Sequence, residues 1–223
     1  MIEINSWMTE LTEKLQNNFK NRLLFVGLQG SYQRNEANKD SDIDAVVILD
    51  VLSIIDLTEY RKIISTMPAS DKACGFISGQ QELINWPKHE LFQFKYDTLP
   101  YLGTMDDLLP EIRRQDIVDS IKISVSGIYH SCCHTVVHSP VNLGLLKSLY
   151  KSAFFTLQAV YFLRNNIYIG NKKELRQLLS GDEKKILDVI LNWELYVDKI
   201  AKYSYEYYDL LLRWSSKMLT IKF

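Results

Sequence analysis

The sequence predicts an α+β chain, an N-terminal part in which strands and helices alternate followed by an all-α helical bundle. Three observations predict it. Short apolar runs of strand length, residues 23–28 and Ile43–Leu49, fall in the first half. Helical periods lie before and after these runs. Beyond Gly103 helical periods continue alone, broken at Ser139-Pro140, Gly170-Asn171 and Ser180-Gly181. The boundary is expected near residue 105, dividing the chain into 1–105 and 106–223.

Ile4, Trp7, Met8, Leu11 and Leu15 recur at helical spacing and define one apolar face. The run 23–28 then reads as a buried strand ending at Gly30, and Ile43–Leu49, rich in β-branched residues, as a second. Between them residues 31–41 are polar and charged with no apolar period, the character of a loop held by rigid strands. Residues 55–67 predict a helix closed by Pro68, 75–78 a short strand, and 80–86 a short helix stopped by Pro87. In 91–98, Phe92, Phe94 and Tyr96 alternate with Gln93, Lys95 and Asp97, which predicts a half-buried strand with Asp97 on its polar face. Farther on, Val118, Ile121, Val125, Ile128, Cys132 and Val136 mark one buried helix face. Leu143–Asn165, 172–179, 182–192 and 201–219 complete a bundle, with Tyr203, Tyr205, Tyr207 and Tyr208 expected as packing of the last helix.

Composition narrows the function classes. The 223 residues carry 26 Lys plus Arg against 27 Asp plus Glu, so no overall positive field exists for a long nucleic acid, which is not an expected partner. Hydrophobic residues at 47% exclude a disordered chain. The first ten residues hold acidic side chains and a Trp where an export signal would need basic residues and an apolar stretch. Residues 123–146 lack Asp, Glu, Lys and Arg, yet only twelve of the 24 are apolar, so a buried helix plus turn is expected rather than a membrane span. Three cysteines, Cys74, Cys132 and Cys133, show no disulfide framework, which fits a cytoplasmic location.

The chemistry is concentrated in one segment, Gly30-Ser31-Tyr32-Gln33-Arg34-Asn35-Glu36-Ala37-Asn38-Lys39-Asp40-Ser41-Asp42-Ile43-Asp44. Asp42 and Asp44 stand two apart at the start of a strand, so the period of two turns both carboxylates to one side. Like charges held so close call for a cation, and a hard ion such as Mg2+ would keep several waters and take other ligands from substrate phosphates. Gly30 permits close approach of the backbone to a ligand, and Ser31 can cap a helix start that favours an anion. The ordinary alternative is a polar turn with two solvated aspartates, but carboxylates at the mouth of a buried strand are costly without a cation.

Ten residues separate Ser31 from Asp42, and the Gly-Ser turn followed by Asp-x-Asp resembles the signature of the polymerase-beta-like nucleotidyltransferase superfamily. The resemblance implies an N-terminal nucleotidyltransferase fold, a mixed sheet with flanking helices. It implies that Asp42 and Asp44 bind Mg2+, that Gly30 and Ser31 hold the departing pyrophosphate, and that an NTP, expected to be ATP, gives its nucleoside monophosphate to a hydroxyl. The superfamily adds a third carboxylate from a later strand as metal ligand or general base. Asp97 is the candidate, with Glu90 and Glu82 as alternatives. Arg34 would touch phosphate or else pair with Glu36 on the surface. Lys172 or Lys173 would reach the triphosphate from the helical part, or form a solvated basic turn. The helical half is similar in layout to enzymes that modify aminoglycoside or lincosamide antibiotics, so a small-molecule acceptor is expected in a cleft between the two parts. An antitoxin-like regulator and a transferase acting on protein or RNA are the rival readings, and a homodimer stays open.

His130, His134 and His138 recur at i, i+4 and i+8 on one helix face. The spacing is compatible with a transition-metal site, with a place lining the cleft, or with a solvated surface.

Overall fold

The computed structural model describes residues 2–139 and 142–222 and divides into two compact units, Met1–Ile112 and Arg113–Phe223. The first runs α1 (Ile4–Phe19), β1 (Leu23–Gln29), α2 (Gly30–Gln33), β2 (Ile43–Leu49), α3 (Ile54–Ser65), β3 (Ala73–Gly79), α4 (Gln80–Ile84), α5 (Lys88–Tyr96), β4 (Leu99–Leu102) and α6 (Met105–Leu108). The strands form one mixed sheet in the order β3-β2-β1-β4, with β1 antiparallel to β2 and β4 and β2 parallel to β3.

β1 and β2 read as nearly continuous apolar runs because both faces of the sheet are covered. On one face Val26, Leu28, Ile43, Ala45, Val47 and Leu49 pack with Trp7, Met8, Leu11 and Leu15 of α1. On the other, Phe25, Val46 and Ile48 meet Leu83, Leu91, Met105 and Leu108. The crossover helix α3 begins with a reciprocal cap between Ser53 and Asp56. Arg22, at the start of the strand system, donates to Asp56 at 2.7 and 3.1 Å and to Asp50 at 3.1 Å. The Arg22 hydrogen bond, and then that of Ser53, hold the Asp56 carboxyl well below the usual carboxylate range.

The second unit is helical among its described residues: α7 (Arg114–His138), α8 (Leu143–Asn165), α9 (Lys172–Leu178), α10 (Gly181–Leu191), α11 (Trp193–Lys202) and α12 (Ser204–Thr220). α7 packs on α8 and α12 through Ile117, Ile121, Val125, Ile128, Cys132 and Thr135. Lys122 Nζ donates to the carbonyls of Met218, Leu219 and Ile221 at 2.6 to 3.0 Å, satisfying carbonyls that the end of α12 leaves without helical partners. Burial, with the neighbouring Cys133 second, pushes the Cys132 thiol up to about 12. Among the described residues no helix is long and apolar enough to cross a membrane.

Several expectations need correction. Residues 91–98 are not a strand: α5 runs through Tyr96 and Asp97 is its C-cap. The alternation of aromatics misled because Phe92 and Tyr96 also stand four apart, and as a helix their rings lie 5.0 Å from each other while Leu91 and Phe94 reach the core. The strand comes later as β4, which was missed because Pro100 breaks the pattern. At a sheet edge, opposite Gly27, that proline is tolerated. Residues 106–112, expected in the helical part, lie with the first unit, where Leu108 joins Met105 in its core. On α7, Thr135 and not Val136 closes the buried stripe, and Val136 is 45% exposed. The uncharged span from 123 is therefore not buried all round, and Val137 is 70% exposed. The expected helix 201–219 is two helices that meet at Tyr203, and of the four tyrosines only Tyr208 is buried. Pro140, the expected break after Ser139, lies outside the described residues.

Candidate functional site

The connection from β1 to β2 gathers the predicted residues at one end of the sheet. Register pairs Gln29 with Asp44, so the last residue of β1 faces the second residue of β2. Gly30 follows with φ +74°, a left-handed conformation open to glycine. A Cβ added there would sit 1.9 Å from Asp44 Oδ2 and 2.9 Å from its Cγ. Thus the glycine of the Gly-Ser turn and the second aspartate are in direct apposition, and this close approach exists only because residue 30 has no side chain. Ser31 follows in α2, where Tyr32 is buried in the core and anchors the short helix.

The rest of the loop is fixed by local bonds. The Glu36 N–H donates to the Ser31 carbonyl at 2.8 Å. Asn38 turns the chain, accepting from the Asp40 N–H at 2.8 Å while its own N–H donates to Ser41 Oγ at 2.9 Å. Asp42 then emerges exposed just before β2, and Asp44 is half-buried within it. Alternation along β2 puts Asp44 on the same face as Val46 and Ile48, the face of the second core cluster.

Arg34 and Asp97 are both buried and form an ion pair, and Arg34 Nε reaches Glu36 at 3.3 Å. Arg34 is therefore neither an open phosphate arm nor a surface partner of Glu36 alone. Asp97 is not on a strand, so its expected geometry is corrected as well. It sits beside the site through its neighbour: Gln29 Nε2 donates to Thr98 Oγ1 at 2.6 Å. The resulting framework runs from Asp44 to Gly30, through α2 to Arg34 and Asp97, and back by Thr98 to Gln29.

The alternative carboxylates stand elsewhere. The carboxylate of Glu82 folds over Gly79, where an added Cβ would meet Oε2 at 2.3 Å. Gly79 pairs with Leu49, five register positions from the Asp44 and Cys74 pair, roughly 16 Å along the sheet. Glu90 accepts from Trp86 Nε1 at 2.6 Å on the surface. Neither β3 nor β4 carries an Asp or Glu, and the residue beside Asp44 on β3 is the exposed Cys74. Sequence reasoning missed Gln29, Cys74 and Thr98, because strand register alone places Gln29 and Cys74 beside Asp44 and a side-chain bond ties Thr98 to Gln29. In the second unit Lys172 and Lys173 open α9 behind the Asn171 cap, and Lys172 Nζ lies 4.7 Å over the Phe154 ring.

The donor set fits a hard divalent cation. Asp42 and Asp44 supply two carboxylates, the second packed directly against the Gly30 backbone, and Mg2+ characteristically uses one or two carboxylates plus water and phosphate oxygens. Among the described residues no group of three or more His, Cys, Asp or Glu is arranged to enclose a metal alone. Such an ion would have to draw further ligands from substrate.

A family model described as "Nucleotidyltransferase domain" matches residues 8–123, more than half of the 223-residue chain. Among solved structures, spectinomycin adenyltransferase AAD(9) from Enterococcus faecialis, determined with ATP and spectinomycin, matches with TM-score 0.58 and 15% identity, covering 97% of this chain and 99% of that one. A toxin–antitoxin structure with AMP-PNP matches at TM-score 0.34 and 19% identity, over 57% of this chain and 91% of that one. No curated protein sequence matches.

Proposed function

Because the chain belongs to the nucleotidyltransferase domain family, we propose that it moves AMP from ATP onto a hydroxyl of a small molecule, with Mg2+ held by Asp42 and Asp44. The observation that carries this reading is the apposition of Gly30 to the Asp44 carboxylate, which brings the backbone of the Gly-Ser turn against the side chain proposed to hold the metal. In the reaction the acceptor oxygen bonds to the α-phosphorus, the bond from that phosphorus to the bridging oxygen breaks, and pyrophosphate and a proton leave. When bound, Mg2+ supplies neutralisation of phosphate charge during this displacement.

The chain's own groups position the reactants. Gly30 and Ser31 would border the pyrophosphate portion, and Asp42 and Asp44 would hold the ion beside it. Asp97 braces Arg34 beneath the turn instead of acting on the acceptor. Rigid placement of this kind is the main source of rate in phosphoryl transfer, because there is little covalent chemistry for side chains to perform. The acceptor class rests on the layout shared with AAD(9) across both units, and a hydroxylated antibiotic of the spectinomycin or aminoglycoside kind is the proposed acceptor.

Calorimetric titration with each NTP, with and without Mg2+, tests the reading. Mg2+-dependent ATP binding is expected in the wild type and its loss in Asp42→Asn and Asp44→Asn, both of which should fold normally. Wild-type affinity in both variants would overturn the assignment. Pyrophosphate release on adding hydroxylated antibiotics then tests the acceptor.

A further inference from the structure

The second unit carries a side-chain cluster that the proposed reaction does not use. His130, His134 and His138 stand on α7 at steps of four residues, rising about 6 Å per step along one face. All three are exposed. Their ring centroids are 6.0 Å apart for His130 and His134 and 5.2 Å apart for His134 and His138. Among the described residues the rings contact one another and take part in no hydrogen bond or ion pair. Their nitrogens are therefore available as donors.

The spacing has a chemical meaning. Two imidazoles on one tetrahedral ion, with metal–nitrogen bonds of about 2.0 to 2.1 Å, hold their centroids about 5 Å apart. The His134 and His138 rings already stand at that separation, whereas His130 and His134 would need to close by nearly an ångström. From residue 123 to His138 the helix has no Asp, Glu, Lys or Arg, so the pair offers imidazole nitrogen with no carboxylate oxygen beside it, and no fixed positive charge on this stretch repels a cation. Nitrogen donors suit borderline ions such as Zn2+, Ni2+ and Cu2+, and not Mg2+. A histidine pair at i, i+4 on one helix face is an established way to present two zinc ligands.

We propose that His134 and His138 form a two-histidine site for a transition-metal ion of the zinc class, with His130 as an auxiliary partner of His134. No third His, Cys, Asp or Glu among the described residues completes the shell. The helix therefore supplies two ligands and leaves the remaining positions to water or to a donor from another molecule. His134 and His138 belong to the second unit and Asp42 and Asp44 to the first.

Calorimetric titration of the untagged, chelator-stripped full chain with ZnCl2 tests this, in wild type, His130→Gln, His134→Gln, His138→Gln and the Asp42→Asn/Asp44→Asn double variant. One zinc equivalent is expected to persist in the aspartate variant. Affinity should fall more than about tenfold in His134→Gln and His138→Gln but less than about threefold in His130→Gln. Circular dichroism should show unchanged helix content, since glutamine is a good helix former at an exposed position. Zinc binding that survives His134→Gln, or that only the aspartate variant abolishes, would overturn the proposal.

Discussion

Replacing Gly30 by alanine probes the geometry on which the functional reading depends. At φ +74° an L-residue is strained, at roughly 1 to 2 kcal/mol. The larger effect is local. The new methyl would lie 1.9 Å from Asp44 Oδ2, and ordinary contact begins near 3.4 Å, so the carboxylate must move by about 1.5 Å. Disturbing the support of a metal ligand typically lowers metal affinity by 10- to 100-fold, and an ångström of misplacement at a reacting centre reduces turnover by about 100-fold. Gly30→Ala should therefore lose about 1 to 2 kcal/mol in urea unfolding and at least about tenfold in Mg2+-dependent ATP affinity by calorimetry. Gly127→Ala is the control. It lies within α7 with no heavy atom within 4 Å of the added Cβ, so it should stabilise the chain by up to about 1 kcal/mol without touching ATP affinity. Unchanged Mg2+-dependent affinity in Gly30→Ala would refute the link between the turn and the carboxylate.

Further outcomes follow from the same contacts. Asp97→Ala leaves the buried Arg34 guanidinium with Glu36, and urea unfolding should show a loss of about 3 kcal/mol; native stability combined with lost turnover would instead mark Asp97 as a catalytic group. Asp56 is held below its ordinary range in the folded chain, so its contribution is complete above the unfolded value of about 3.9 and is lost as pH falls toward the folded one. Urea midpoints taken on acidification below about pH 4 should thus fall more steeply in wild type than in Asp56→Asn. Leu83→Ala, in the core cluster shared by β1, β2 and α6, should cost about 2 to 5 kcal/mol in chemical unfolding.

The sequence by itself determined the elements whose signals are local. β2 spans Ile43–Leu49 as its apolar run predicts, and α8 spans Leu143–Asn165. Burial on both faces writes a strand as an unbroken apolar run, and a long helix repeats its period often enough to be unambiguous. The Gly-Ser turn and the two aspartates were legible for a related reason, since a conformation open to glycine and two carboxylates two residues apart are properties of a short stretch of chain. Segment 91–98 shows where such reading fails. Over eight residues, aromatics at every second position satisfy a strand and also place a pair four apart, and the choice was made by the core that Leu91 and Phe94 fill.

Only the tertiary structure decided what surrounds Asp44. Gln29 and Cys74 carry no signal of their own, and strand register brings them there from 15 and 30 residues away, while one side-chain bond ties Thr98 to Gln29. The same holds for Asp97, which the fold commits to Arg34, 63 residues earlier in the chain. A buried guanidinium requires a carboxylate partner, and which carboxylate supplies it depends on where the sheet delivers the chain.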